Sequence, residues 1–192
     1  PPWQYRNAKG TGVAENHYKT MSVEEICSLP VKEWTDKNAV LFLWVTCPQL
    51  PEAFKVMKAW GFEYKTVGFV WLKPKRTGEG YVLGMGYWTR SNVEICLIAT
   101  KGKPRRKSKT VSQLIFSPRE KHSKKPDITR DLIMELMGDL PRLEMFARES
   151  TPGWDVWGNE VNLQKVCLMP ISRKGENDGF CICTQRSDKG KK

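Results

Sequence analysis

The sequence predicts an α/β domain: a mostly parallel sheet with helices on its faces. Two observations carry that prediction. Apolar runs of strand length alternate along the chain with segments of helical period. The first of those runs, Ala39 to Thr46 (AVLFLWVT), is almost wholly apolar, as in a strand covered on both faces. At 192 residues the chain has the length of one domain with a substantial core.

The elements follow in order. Ser22-Val23-Glu24-Glu25 forms a capping box that opens a short helix through Leu29. After the strand at Ala39, Pro48 begins a helix whose Leu50, Phe54 and Met57 share one face, and Gly61 ends it. Phe62 to Leu72, Asn92 to Thr100 and the short Gln113 to Phe116 are expected strands. Pro126 and Asp127 start a helix bearing Leu132, Ile133, Leu136 and Met137, stopped by Gly138. Arg142 to Phe146 and Trp154 to Trp157 are the last predicted strands.

In such sheets ligands sit beyond the carboxyl ends of the strands, where Pro1, Thr46, Lys73 and Arg148 are expected. Two long segments, Lys73 to Arg90 and Lys101 to Ser112, each follow a strand, so both are expected on that same rim. The domain is expected to span 1–161. Residues 162–192 have no clear period and end in Lys-Gly-Lys-Lys, which suggests a loosely attached basic tail.

Composition narrows the function classes. A 40 % hydrophobic fraction and eight Trp exclude a disordered chain. No run approaches the ~18 apolar residues of a membrane span, and the first residues carry no signal-peptide pattern. Cys181-Ile182-Cys183 lacks the spacing of a zinc knuckle and only two His are present, so no metal is expected. Cys47 and Cys96 lie in apolar strand-like runs, where reduced, buried thiols are common. No Gly-x-Gly-x-x-Gly follows a strand, which argues against a dinucleotide-dependent oxidoreductase.

The net charge of +11 is concentrated. Between Lys101 and Lys125 there are ten basic residues and one acid, Glu120. A basic segment on a nearly neutral body fits a polyanion partner; a solvated loop is the plainer alternative.

Several segments together carry a resemblance. They are Pro1-Pro2-Trp3, Tyr18-Lys19-Thr20-Met21-Ser22, Leu41 to Thr46, Trp60-Gly61-Phe62 and Trp88 to Glu94. Lys101-Gly102-Lys103-Pro104, Ser123 to Asp127, Glu144 to Arg148, Gly153-Trp154 and Trp157 to Glu160 complete the set. In this order, over residues 1–161, the chain resembles the METTL-type (Ime-type) adenine N6 methyltransferases with the Asp-Pro-Pro-Trp motif. Its compact loops are similar to the bacterial and phage members.

The resemblance implies a Rossmann-like fold in permuted order, with the catalytic strand first and much of the S-adenosylmethionine pocket from the C-terminal half. The implied reaction is methyl transfer from S-adenosylmethionine to the N6 amine of adenine in nucleic acid, with DNA ahead of RNA. The alternative is a catalytically inactive nucleic-acid-binding subunit of a methyltransferase complex. A homodimer, or a heterodimer with a related subunit, belongs to the same expectation. So does a cytoplasmic location for a bacterial or phage protein, or a nuclear one for a eukaryotic protein. The acid that precedes Pro-Pro-Trp in the family does not stand in this sequence. Little or no activity is therefore expected of the chain as given, and a sheet short of a central strand.

The chemistry explains the residue types. The adenine amine is a poor nucleophile because its lone pair is delocalised into the ring. An acid before Pro1 and the Pro1 carbonyl can each accept one amine hydrogen, turning the lone pair outward and stabilising developing positive charge. Pro1 and Pro2 fix the backbone that aims those acceptors, and Trp3 can pack against the base. A turn or a polyproline ligand is the structural alternative for this tripeptide.

For the cofactor, the resemblance implies Ser123 and Lys125 at the methionine end, Arg148 near the ribose, Asn159 and Glu160 near the adenosine, and Glu144 and Phe146 in the adjoining wall. Taken alone, Glu144 and Arg148 read as a surface ion pair. Tyr18 and Lys19 lie in a loop over the site in relatives, and Arg90 and Asn92 are placed to touch the base or its phosphate. The target adenine must be unpaired or flipped out to react. Lys101, Lys103, Arg105, Arg106, Lys107 and Lys109 are then expected as phosphate contacts beside the pocket. Trp44, Trp60 and Trp71 are expected in the core.

Overall fold

The computed structural model describes residues 1–4, 19–84, 86, 88–120, 124–147, 149–158 and 180–183. Its elements are α1 (Val23–Cys27), α2 (Val31–Trp34), β1 (Ala39–Val45), α3 (Leu50–Ala59), β2 (Glu63–Leu72), β3 (Glu94–Lys101) and β4 (Leu114–Phe116). They continue with α4 (Ile128–Met137), β5 (Arg142–Met145), β6 (Asp155–Trp157) and β7 (Phe180–Cys183). The seven strands form one sheet in the order β4-β2-β3-β1-β7-β5-β6. Only β3 runs against its neighbours; the other pairs are parallel. The α/β class and the mostly parallel sheet agree with the sequence.

Strand period divides the core. In β1 every residue is buried. Ala39, Leu41, Leu43 and Val45 face the side packed by Ile26, Val31, Ala53, Val56, Met57 and Trp60 of the first three helices. Val40, Phe42 and Trp44 face the other side, with Phe69, Trp71 and Ile133. Successive side chains of a strand point to opposite faces, so an unbroken apolar run is what a doubly covered strand needs. The three expected core tryptophans, Trp44, Trp60 and Trp71, are all buried.

Local signals set the element ends. The Ser22 hydroxyl accepts from the Glu25 backbone N–H, and the Glu25 carboxylate accepts from Ser22 N, which closes the capping box. Gly138 stops α4, its N–H on the Met134 carbonyl. In α3 the buried stripe is Ala53, Val56 and Met57, rotated from the expected one. Phe54 is exposed and packs edge-on against Tyr64 at 5.2 Å.

Two expectations change at the level of topology. Among the described residues no helix separates β2 from β3, and β3 returns antiparallel to β2. Lys101 therefore stands opposite Ala39, at the start of β1, while Lys73 follows the carboxyl end of β2. The segments after β2 and β3 leave from opposite rims, not from one. The second change concerns the tail expected to be loose. Its described part, Phe180–Cys183, is a central strand: Ala39 faces Phe180 on one side, and Arg142 faces Cys181 on the other. It occupies the interior of the sheet, where a missing member was expected, and pairs backbone groups of β1 and β5 that burial would otherwise leave unsatisfied.

Candidate functional site

Beyond the carboxyl end of β1 the chain's first residues are pinned rather than frayed. The Pro2 carbonyl accepts from Met21 N at 2.9 Å. Trp3 forms a bridge with Met21, and its indole Nε1 donates to the Trp44 carbonyl at 3.4 Å. Gln49 Nε2 donates to the Gln4 carbonyl at 2.9 Å. Trp3 is only 4 % exposed and belongs to the core that the first three helices cover. Its ring thus supports the site from below, and the face expected to meet adenine is covered. Lys19 is exposed two residues before Met21, beside this anchor. Tyr18 lies outside the described residues.

Next to it sits a charge cluster that the sequence did not disclose. The Glu94 carboxylate, at the start of β3, lies 2.7 Å from Lys73 Nζ and 2.9 Å from Lys125 Nζ. Burial works against the charge on Glu94, and the two ammonium groups, Lys125 then Lys73, outweigh it, holding the carboxyl at about 2. Lys73 also lies over the Trp71 ring, 4.7 Å from its centroid. Asn92, expected to meet the base, instead bonds backbone. Its Oδ1 accepts from Lys73 N at 3.0 Å, and its Nδ2 donates to the carbonyls of Lys73 and Val82. It is a clamp for the loop between β2 and β3. Arg90 is exposed in that loop, beside Ser91, which bridges Gly84.

The first turn of α4 opens on the same rim. Lys124 pairs with Glu120 at 2.7 Å and Asp127 at 2.6 Å. Arg130, which sequence reasoning missed, reaches Glu144 through Nε at 2.8 Å and Nη2 at 3.1 Å, and Asp127 through Nη1 at 2.8 Å. Burial works against the Arg130 charge, but the hydrogen bonds of Glu144 and Asp127 raise the guanidinium above its ordinary value. Glu144 is wholly buried, so it is no surface ion pair. Its role is to fix α4 against β5.

Just after β5, Phe146 has φ 62, uncommon for a bulky residue and the kind of outlier found at ligand sites. Phe146 packs edge-on against Trp157 at 5.4 Å, and Ala147 N donates to the Trp157 carbonyl at 2.9 Å. At Gly158 a Cβ would lie 2.0 Å from the Ala147 carbonyl oxygen, so only glycine permits this approach of the ends of β5 and β6.

Burial pushes the Cys96 thiol well up, while the nearby Lys125 ammonium pulls it down. Lys125 brings a positive charge to this rim, shared with Glu94 at 2.9 Å. Thr129 in the first turn of α4 has a buried hydroxyl without a partner, and the Gly158 backbone closes directly against Ala147. Among the described residues no three His, Cys, Asp or Glu side chains could hold a metal ion.

Other expected residues do not join the site. Lys101 Nζ donates to the carbonyls of Lys32 and Thr35 and to Thr35 Oγ1, each at 3.1 Å, tying the end of α2 to β3. Lys103, Arg105, Arg106, Lys107 and Lys109 are exposed on the rim where β1 begins. Ser123, Arg148, Asn159 and Glu160 lie outside the described residues. Glu94 carried a sequence signal: an acid opening an otherwise apolar strand, Glu-Ile-Cys-Leu. Arg130 carried none, since Arg on a helix is ordinarily exposed.

Comparison with known proteins adds an independent line. The MT-A70 family matches residues 1–160. The chain is 34 % identical to the Type II methyltransferase M.MunI from a Mycoplasma, over 93 % of this chain and 81 % of that protein. It is 27 % identical to an N(6)-adenosine-methyltransferase MT-A70-like protein of Arabidopsis thaliana, over 84 % of this chain and 23 % of the relative. It is 28 % identical to the mouse N(6)-adenine-specific methyltransferase METTL4, over 84 % and 36 %. With the family match covering residues 1–160, this chain belongs to the MT-A70 family.

Proposed function

We propose that the chain is a methyltransferase acting on the N6 amine of adenine in nucleic acid. The observation that carries it is the anchoring of Pro1-Pro2-Trp3 at the carboxyl end of β1, through the Met21 N bond to the Pro2 carbonyl and the Trp3 bond to the Trp44 carbonyl, on the rim of a mostly parallel sheet where Lys125 meets Glu94. Family membership and a relative named as an N(6)-adenine-specific methyltransferase support it.

S-adenosylmethionine bound at the rim supplies a methyl group on a positively charged sulfur. Lys125 and the first turn of α4 suit its carboxylate, and the backbone of Phe146, Ala147 and Gly158 suits its nucleoside. Pro1 holds a carbonyl toward the adenine amine, and the Met21 bond to Pro2 keeps that backbone from turning. The carbonyl accepts an amine hydrogen, and an acid placed before Pro1 accepts the other. Lys19 and Arg90, exposed at the rim, suit contacts to the flanking phosphates. DNA is the polymer this reading favours over RNA, as the resemblance to the bacterial and phage members implies.

The test is transfer of labelled methyl from S-adenosylmethionine to adenine-containing DNA and RNA oligomers, by the chain with aspartate placed before Pro1. Methyl-adenine in DNA alone is expected. Label in RNA alone would reverse the choice of polymer. Failure to bind the cofactor at all would overturn the assignment.

A further inference from the structure

At the rim that carries the site, the four basic side chains Lys73, Lys124, Lys125 and Arg130 each face a carboxylate. The opposite rim differs. Lys103, Arg105, Arg106, Lys107 and Lys109 are all exposed, and among the described residues none is paired with an acid. Their segment contains no acidic residue from 101 to 112.

These charges stand on an anchored backbone. Lys103 N donates to Asn38 Oδ1 at 2.8 Å, and Gly102 turns at φ 66 against the Lys37 carbonyl. Lys107 N and Ser108 N both donate to the Leu136 carbonyl, at the end of α4. A solvated loop does not need such ties, and a prefixed row of cations loses little freedom when it meets a partner. The seven residues of β1 separate this rim from the one holding Trp3 and Glu94, about 20 Å at the rise of an extended strand. The same cations cannot touch the phosphates of the target nucleotide.

The geometry points to a second nucleic-acid surface: Lys103, Arg105, Arg106, Lys107 and Lys109 bind the phosphate backbone of the polymer outside its target segment. The inference rests on nucleic acid as the substrate, and on no assignment within the methyl-transfer site. A regular polyanion suits it because several closely spaced cations release several counterions at once.

The test compares the parent with Arg105→Gln/Arg106→Gln/Lys109→Gln, three exposed positions whose change leaves the core untouched. Binding of a short single-stranded oligomer and of a long duplex, each containing adenine, is titrated across salt concentrations. For the duplex, the variant is expected to bind at least tenfold more weakly, with a salt slope smaller by about 3. For the short oligomer, affinity and methyl transfer are expected to stay as in the parent. An unchanged duplex slope overturns the second surface, whether or not an acidic peptide loses affinity. Equal losses for both polymers also overturn it, by returning the cations to the site. A parent that binds duplex in this way but transfers no methyl group leaves the surface standing and removes the catalytic assignment instead.

Discussion

Glu94 holds Lys73 with one carboxylate oxygen, at 2.7 Å, and Lys125 with the other, at 2.9 Å. The acid opens the antiparallel strand, Lys73 closes the strand beside it, and Lys125 precedes α4. One side chain thus sets three chain segments around the rim. Its carboxyl sits at about 2, below the ordinary 4.5, so its contribution to stability is complete above 4.5 and fades as pH falls toward 2. The parent should lose of the order of 2 kcal/mol between about pH 5 and pH 3 that Glu94→Gln does not lose. Urea midpoints at the two pH values measure it. Identical pH dependence in both proteins would show that the ion pairs contribute nothing.

Arg130 and Glu144 make the opposite case, a pair whose value lies in not being broken. Arg130→Met leaves a wholly buried carboxylate alone, which costs about 3–5 kcal/mol. Arg130→Met with Glu144→Leu removes both charges and should recover most of that loss. Denaturation of the two variants separates the effects. A single variant as stable as the parent would mean that Glu144 is protonated or finds another partner.

Much of this arrangement was legible in the chain, for identifiable reasons. The capping box at Ser22, the apolar run of β1 and the Gly138 stop are local patterns, and local physics decides them. What escaped was set by pairing at a distance. Nothing inside Glu94–Lys101 states that its neighbours run the other way, yet that reversal sends the basic segment to the far rim. Phe-Cys-Ile-Cys is too short to carry a period, and only its partners β1 and β5 make it a central strand. Asn92 has the chemistry of a base contact, but the carbonyls of Lys73 and Val82 reach it first.

The thiols give a reactivity test of the fold. Cys47, expected to be buried in the first apolar run, lies in the 3-10 turn after β1 and is exposed. Cys96 and Cys181 are buried, and burial holds both thiols protonated, Cys181 at about 12. Since the thiolate is the nucleophile, iodoacetamide should modify Cys47 in the native protein and spare Cys96 and Cys181 until urea is added. Peptide mass mapping over a time course reads this directly. Early labelling of Cys181 would contradict its place in the centre of the sheet.

Gly158 is the sharpest single position at the ends of β5 and β6. An added methyl would stand 2.0 Å from the Ala147 oxygen and 2.8 Å from its nitrogen, contacts that backbone cannot relieve without moving. Gly158→Ala must therefore part the two chains and lengthen the Ala147 to Trp157 hydrogen bond, now 2.9 Å. Overpacking of this kind costs about 1–3 kcal/mol. The same displacement disturbs the backbone proposed for the nucleoside, so cofactor affinity should fall together with stability. Thermal melts with and without S-adenosylmethionine separate the two effects. The parent should gain melting temperature on adding cofactor, and Gly158→Ala should melt lower and gain less. A variant that melts lower but gains as much as the parent would leave Gly158 a packing residue and move the nucleoside elsewhere on the rim.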